Sequence, residues 1–269
     1  MRNIQNDQYS LFAVNLNSYL QRALSETSVV NSKIALMNKY LKTWDGFTDT
    51  NSIANTIMQE FFIQLLRRTF ANKMSASLFN QFIASGNLNY AAGVLLLMLQ
   101  ESSYDKWFDD PSTKEIENKN QTIMLCINSV YDSLSHYFNA NITHWQWGKI
   151  HQTYFTHQMG RVAPFKWLWN LGPFQKGGDF STVNPGTWLD INTKPYRASH
   201  GASMRHIVDF GKWEESDLII TTGQSGRWLS SYYDDQAKLW HAQKYINIKT
   251  TKNDIIENLI GESVFIRAR

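Results

Sequence analysis

Cysteine is almost missing from this chain: Cys126 is the single one among 269 residues, so no internal disulfide can brace it. Set in the apolar run TIMLCINSV, it reads as a small buried hydrophobe. Long apolar runs are missing too. The longest, YAAGVLLLML from Tyr90 to Leu99, has about half the length of a bilayer span and reads as a buried helix. The opening MRNIQNDQYSLFAV lacks a cationic region leading into a sustained apolar stretch and a small-residue cleavage site, so no secretory signal is expected. Basic runs are also lacking. The 26 basic and 23 acidic residues are scattered and sum to +3, which argues against a nucleic-acid partner. The seven histidines stand singly, with no His-x-x-x-His pair, so no metal is expected. No glycine-rich loop leads into a helix: GPFQKGGDF runs into strand-like STV, and no nucleotide cofactor is expected either.

What is present is a 43% hydrophobic, 18% charged composition, enough to bury a core in one large domain or two small ones. Up to about Asn139 the apolar residues recur at three and four, as in Ile53, Ile57, Phe61 and Leu65 beside Met58, Phe62 and Leu66. That spacing makes one face of an amphipathic helix, and its aromatic members read as core rather than a cofactor box. Helices are expected near 8–24, 27–42, 51–71, 76–84, 88–101 and 113–138. Asp49 or Thr50 is placed to cap the third, and Pro111 with Ser112 to open the last. After Asn139, short runs broken by glycine and proline read as strands and turns: WGKIHQTYFTH, PFKWLWN, GGDFSTVNPG, SMRHIVDF, DLIITT and SVFIRAR. Two short helices are expected at 234–243 and 252–259. The fold class is therefore α+β, with a helical part at 1–140 and a strand-rich part at 141–269 packing on the same core.

Three constellations bear on chemistry. Gly223-Gln224-Ser225-Gly226 invites a nucleophile reading for Ser225, yet a nucleophile elbow needs Gly-x-Ser-x-Gly, and here the second glycine comes one residue early. A polar turn, with Gly223 and Gly226 at positive φ, is the expectation. His151 and His157 stand six apart, so one strand face could carry both, as hydrogen-bond partners rather than ligands. Arg205 and Asp209, four apart, could share a strand face as an ion pair of structural rather than catalytic use.

The order of several motifs resembles the C-terminal end of the penicillin acylase family. These are Trp147-Gly148-Lys149-Ile150-His151; Gly177-Gly178-Asp179 with Thr182-Val183-Asn184; Gly201-Ala202-Ser203-Met204-Arg205 running into Ile207-Val208-Asp209; Gly223-Gln224-Ser225-Gly226; and Tyr233-Asp234-Asp235-Gln236 with Trp240. Upstream, LKTWDG from Leu41 to Gly46, followed by Asp49, Ser52 and Ala54, resembles a helical segment of the same β subunit, and Asp7 with Ser10 and Ala13 the segment before it. The likeness extends from about Gln5 to Tyr245. Two positions depart from it: Ser231-Tyr232 stands where Pro-His is usual, and Gln243 where glycine is common.

The resemblance implies a partial αββα N-terminal-nucleophile hydrolase fold and the hydrolysis of a linear amide through an acyl ester. In that family a serine freed at the front of the β subunit is the nucleophile, with its own α-amine as base. That serine, the oxyanion donors and the calcium-binding carboxylates all lie upstream of the matched segment. No catalytic, cofactor-binding or metal residue is therefore carried over to this chain, and Ser225 becomes scaffold. The expected partner is the upstream half of the acylase, meaning the α subunit and the N-terminal part of the β subunit. The expected function is that of a C-terminal acylase fragment, inactive alone; a non-catalytic remnant or binding module of the same fold is the alternative. The family is mostly periplasmic, and its export is directed by the front of the precursor. Strand edges and an apolar face that missing strands would cover should leave the isolated chain poorly soluble or self-associating.

Overall fold

The computed structural model describes residues 1–28, 31–83, 88–162, 164–188, 190–192 and 194–259. They form two compact units: Asn6–Gly201, and Met1–Gln5 with the described part of Ala202–Arg269. The change from helical to strand-rich texture near residue 140 falls inside the larger unit.

In the larger unit the helices are Leu11–Glu26, Ser32–Lys42, Ile53–Phe70, Ala76–Phe82, Leu88–Gln100 and Lys119–Tyr137. Ser10 opens the first, its hydroxyl accepting from the Ala13 N–H, which satisfies one of the donors that a helix start leaves unpaired. The third helix begins at Ser52 rather than at Asp49 or Thr50. Asp49 is used one step earlier, where its carboxylate takes the Asn51 N–H in a turn that delivers the chain to the cap. The last helix starts six residues beyond the expected position. Asn118 and Gln121 close a reciprocal capping box there, and the stretch after Pro111 is spent on turns around Asp110.

Helix Ile53–Phe70 is the axis of this unit and is buried nearly all round. One side presents Ile57, Phe61 and Leu65 to the neighbouring helices, each fully buried and worth roughly 1.5–3 kcal/mol of burial. The other side buries Asn55, Thr56, Gln59 and Glu60, so each needs partners. Glu60 finds them in Lys194 (2.9 Å), Ser133 (2.7 Å), Gln64 (2.7 Å) and the Tyr196 hydroxyl. Burial pushes the Glu60 carboxyl up, but the Lys194 charge and the Tyr196 and Gln64 bonds outweigh it and hold the group below its ordinary value. Cys126 is buried in the facing helix, and burial raises its thiol to about 12, as its apolar surroundings foretold.

The sheet of this unit runs β2-β1-β4-β3, from β1 (His151–Phe155), β2 (Leu171–Gln175), β3 (Thr187–Trp188) and β4 (Tyr196–His200). β1 pairs antiparallel with β2 and parallel with β4 (His151 opposite Tyr196), and β3 closes antiparallel on β4. Three of the expected strands resolve differently. WGKI is a helical turn ahead of β1, and KWLW (Lys166–Trp169) is another. GGDFSTVNPG is a loop whose backbone groups bond to side chains and to distant carbonyls, which removes them from any ladder.

The smaller unit holds β5 (Met204–Ile207), β6 (Asp217–Ile220) and β7 (Ile246–Asn247) in the order β5-β6-β7, all antiparallel. Helix Ala237–His241 packs Ala237 and Trp240 inward. The guanidinium of Arg2 grips Asp217 with two bonds of 2.7 and 2.8 Å. A helix at Lys252–Glu257 follows, and the expected strand SVFIRAR lies outside the described residues. Taken together, the architecture is α+β.

Candidate functional site

Segments that are far apart in sequence converge on the loop 176–186. The Gly178 N–H donates to Thr48 O (2.9 Å), Gly148 N–H to Thr50 O (2.7 Å), Trp147 N–H to Ser52 O (3.2 Å) and Asn184 N–H to Asp7 O (2.8 Å). Gly178 is required at its place: its φ is +81°, and a Cβ there would stand 2.3 Å from Asn184 O.

Asp179 is the centre of this clasp and is fully buried. One carboxylate oxygen accepts from the Ser10 hydroxyl (2.5 Å) and the Gln59 amide (2.8 Å), the other from the N–H (2.7 Å) and hydroxyl (2.9 Å) of Ser181. Four donors thus surround the carboxylate, which is how a buried anion avoids a severe desolvation penalty. Ser10 serves twice, donating to Asp179 while capping its own helix.

His151 sits at the mouth of β1 with no exposure. Its ring stacks on Trp147 at 4.4 Å, and its Nδ1 and Nε2 face the carbonyls of Lys176 (2.6 Å) and Gly186 (2.8 Å). Burial pushes the imidazole down to about 3, against the pull of the two carbonyls. A neutral ring donates to only one of them, and its other nitrogen is closed off behind the second carbonyl oxygen with no exposure, so His151 is not placed to take a proton from a substrate. Trp147 Nε1 completes the lock by donating to Gly178 O (3.0 Å).

The other candidates have partners of their own. His157 lies beyond the end of β1, stacked on Trp169 at 4.7 Å, so no strand face carries both histidines. Ser225 is in a turn of the smaller unit, its N–H on Tyr232 O (3.0 Å) and its hydroxyl accepting from the Arg227 N–H (3.1 Å). Neither Gly223 nor Gly226 has the expected positive φ. Gly223 is needed for space, since a Cβ would meet Tyr232 O at 2.1 Å, whereas Gly226 faces open surroundings. Arg205 donates to Trp240 O (3.1 Å) with its guanidinium 4.8 Å from the Trp240 ring, while Asp209, past the end of β5, accepts from the Gly211 and Lys212 N–H groups. Among the described residues no group of three His, Cys, Asp or Glu is placed to hold a metal ion, and no helix is long and apolar enough to cross a membrane. A groove of about 1300 Å³ opens among the helices of the larger unit, lined by Tyr19, Arg22, Asp105 and Lys119 among others, and no hub residue reaches it.

The Penicillin amidase family model matches residues 1–257. The chain belongs to the penicillin amidase family. It is 26% identical over 260 residues to an acyl-homoserine lactone acylase, QuiP, of Pseudomonas fluorescens strain Pf-5, a match covering 91% of this chain and 30% of that protein. It is 34% identical over 102 residues to the penicillin acylase 2 proenzyme of Pseudomonas sp. strain SE83, covering 37% of this chain and 13% of the proenzyme. Among solved structures, a thermostable penicillin G acylase from Alcaligenes faecalis shares the fold with a TM-score of 0.57 at 13% identity, over 98% of this chain and 48% of that one. The chain therefore spans about a third or less of the curated relatives it matches.

Within this penicillin amidase family member, four of the segments that carried the resemblance, at 7–10, 46–52, 147–151 and 176–186, meet at the hub, and those from Ala202 onward belong to the smaller unit. Sequence reasoning named Asp179, His151 and Ser10 as motif positions but gave them no shared place. It missed Gln59 and Lys176 altogether. A buried glutamine on a helix of apolar periodicity was the available signal for Gln59.

Proposed function

We propose that this chain is the C-terminal part of a penicillin-amidase-type acylase, whose reaction is the hydrolysis of a linear amide to a carboxylic acid and an amine. The observation supporting this reading is that four family motif segments, at 7–10, 46–52, 147–151 and 176–186, clasp one another through buried bonds in a chain that matches the family over residues 1–257. In this reading the hub is scaffold. Acyl transfer needs a nucleophile held by a base, and here Asp179 is saturated by donors and His151 is sealed between two carbonyls. Nucleophile and oxyanion donors come from further acylase polypeptide, and the chain by itself is inactive.

The test is amine release from phenylacetyl amides and long-chain acyl-homoserine lactones, measured for this chain alone and with the acylase polypeptide encoded ahead of it. Turnover only in the combined sample is the expected result. Turnover by the chain alone would overturn the assignment of the nucleophile to another segment, and none in either would favour a remnant that keeps the fold without the reaction.

A further inference from the structure

The connector between β1 and β2, residues 156–170, carries a run of exposed large apolar side chains. It displays Met159, Val162, Phe165 and Trp167 at 54%, 60%, 47% and 80% exposure. These side chains are presented by a braced loop. Asn170 accepts the His157 N–H and donates to Gly160 O, both at 3.0 Å, and two one-turn helices at 159–161 and 166–169 carry the backbone between them.

Charge sets the same region apart. From Ser133 to Gly178 there is no aspartate or glutamate, while Lys149, Arg161 and Lys166 are exposed within that run and Lys176 is buried, in a chain of net charge only +3. Arg161 and Lys166 flank the exposed aromatics and are themselves exposed. β2, which leads out of the connector, is an edge strand of its sheet with Gly172, Pro173 and Gln175 exposed. An ordered cluster of large apolar side chains at an open sheet edge is the mark of an interface.

We propose that this connector is the seat of the remaining acylase polypeptide, which meets it with an apolar pocket rimmed by carboxylates. The inference rests on the reading under Proposed function. Its occupant follows from length and charge. The matched relatives carry additional polypeptide, since this chain spans 30% of the acyl-homoserine lactone acylase and 48% of the penicillin G acylase chain. A run with cations and no anions selects an acidic counterpart. An anionic lipid surface is a poorer fit, because such surfaces are held by clusters of about four to eight cations and the connector offers Arg161 and Lys166.

The experiment replaces Trp167 with photoreactive benzoylphenylalanine in the tagged chain, produced in its source organism, and identifies the adduct by mass spectrometry. The expected adduct is a peptide from another part of a penicillin-amidase-type polypeptide. Its yield should fall at least tenfold when Arg161→Glu and Lys166→Glu are combined, and should persist with Arg161→Lys and Lys166→Arg, which keep the charge and control for folding. Adducts only with lipid, with a second copy or with unrelated proteins, or no adduct at all, would overturn the proposal, as would an acylase complex indifferent to charge reversal. If such an indifferent complex still cleaves amides, the seat is wrong and the functional reading stands. A charge-sensitive complex without turnover is the reverse case.

Discussion

Two loops of this chain carry the same vocabulary of glycine, serine and aspartate, and they put it to opposite uses. In loop 176–186, Asp179 is buried and takes bonds from Ser10 and Gln59, residues 169 and 120 positions away. In loop 221–236, Ser225 bonds to Arg227 and Tyr232, close neighbours in the chain. The first loop holds distant segments together, whereas the bonds of Ser225 stay within its own loop. Composition does not separate them. The difference lies in where the polar groups are spent: a desolvated carboxylate makes every missing donor costly, whereas a turn near the surface can exchange its bonds for water.

The sharpest way to break this comparison is Asp179→Ala, which removes the buried acceptor shared by Ser10, Gln59 and Ser181 and leaves the Ser10 hydroxyl only Ser181 and the Gln59 amide only Asn55. A loss of about 3 kcal/mol is expected, read as a lowered urea midpoint by tryptophan fluorescence; a midpoint within experimental error of the parent would show that the hub is not a clasp.

Next in size is the acid response of His151. Burial holds its folded pKa down to about 3, below the ordinary value near 6.5. The unfolded chain therefore binds the proton first, and stability is lost as pH falls from about 6.5 toward 3. The slope approaches 1.4 kcal/mol per pH unit, giving roughly 1.5–2 kcal/mol between pH 6.5 and 5. Glu60, held low, supports the fold above its ordinary range and weakens it only below about pH 4.5, so the upper window belongs to His151. Urea midpoints across that window should slope for the parent and flatten for His151→Gln; a level parent profile would count against a sealed neutral imidazole.

The smallest effects belong to the other loop. Gly226 has no heavy atom within 4 Å of a would-be Cβ, so Gly226→Ala and Ser225→Ala should each shift stability by less than about 0.5 kcal/mol. Ser225→Ala should also leave amide turnover of the assembled acylase within about twofold, and a large loss of turnover would return Ser225 to the chemistry.

The helices were legible because an apolar face writes a period into the chain: Ile57, Phe61 and Leu65 are enough to announce Ile53–Phe70. Caps were less so. Asp49, Thr50 and Ser52 are all competent side chains, and only the turn closed by Asp49 decides among them. The aromatic run PFKWLWN has strand composition, yet its backbone closes one helical turn at Lys166–Trp169, because propensity is weak over four residues. The hub was legible as a set of motifs and not as a place. Nothing local to Gly178-Asp179 says that Ser10 and Gln59 will meet it, since those contacts are chosen by the packing of helices that bring them there.

The long reach of Asp179 also bears on the order of assembly. Contacts across 169 and 120 residues close large loops whose entropy must be overcome before the bonds repay it. Helices such as Leu11–Glu26 and Ile53–Phe70 can form from near neighbours, so the clasp is a late event laid on an existing helical frame. An interaction made after the folding barrier slows escape rather than entry, and the buried aspartate thereby governs how long the native state lasts more than how quickly it is reached.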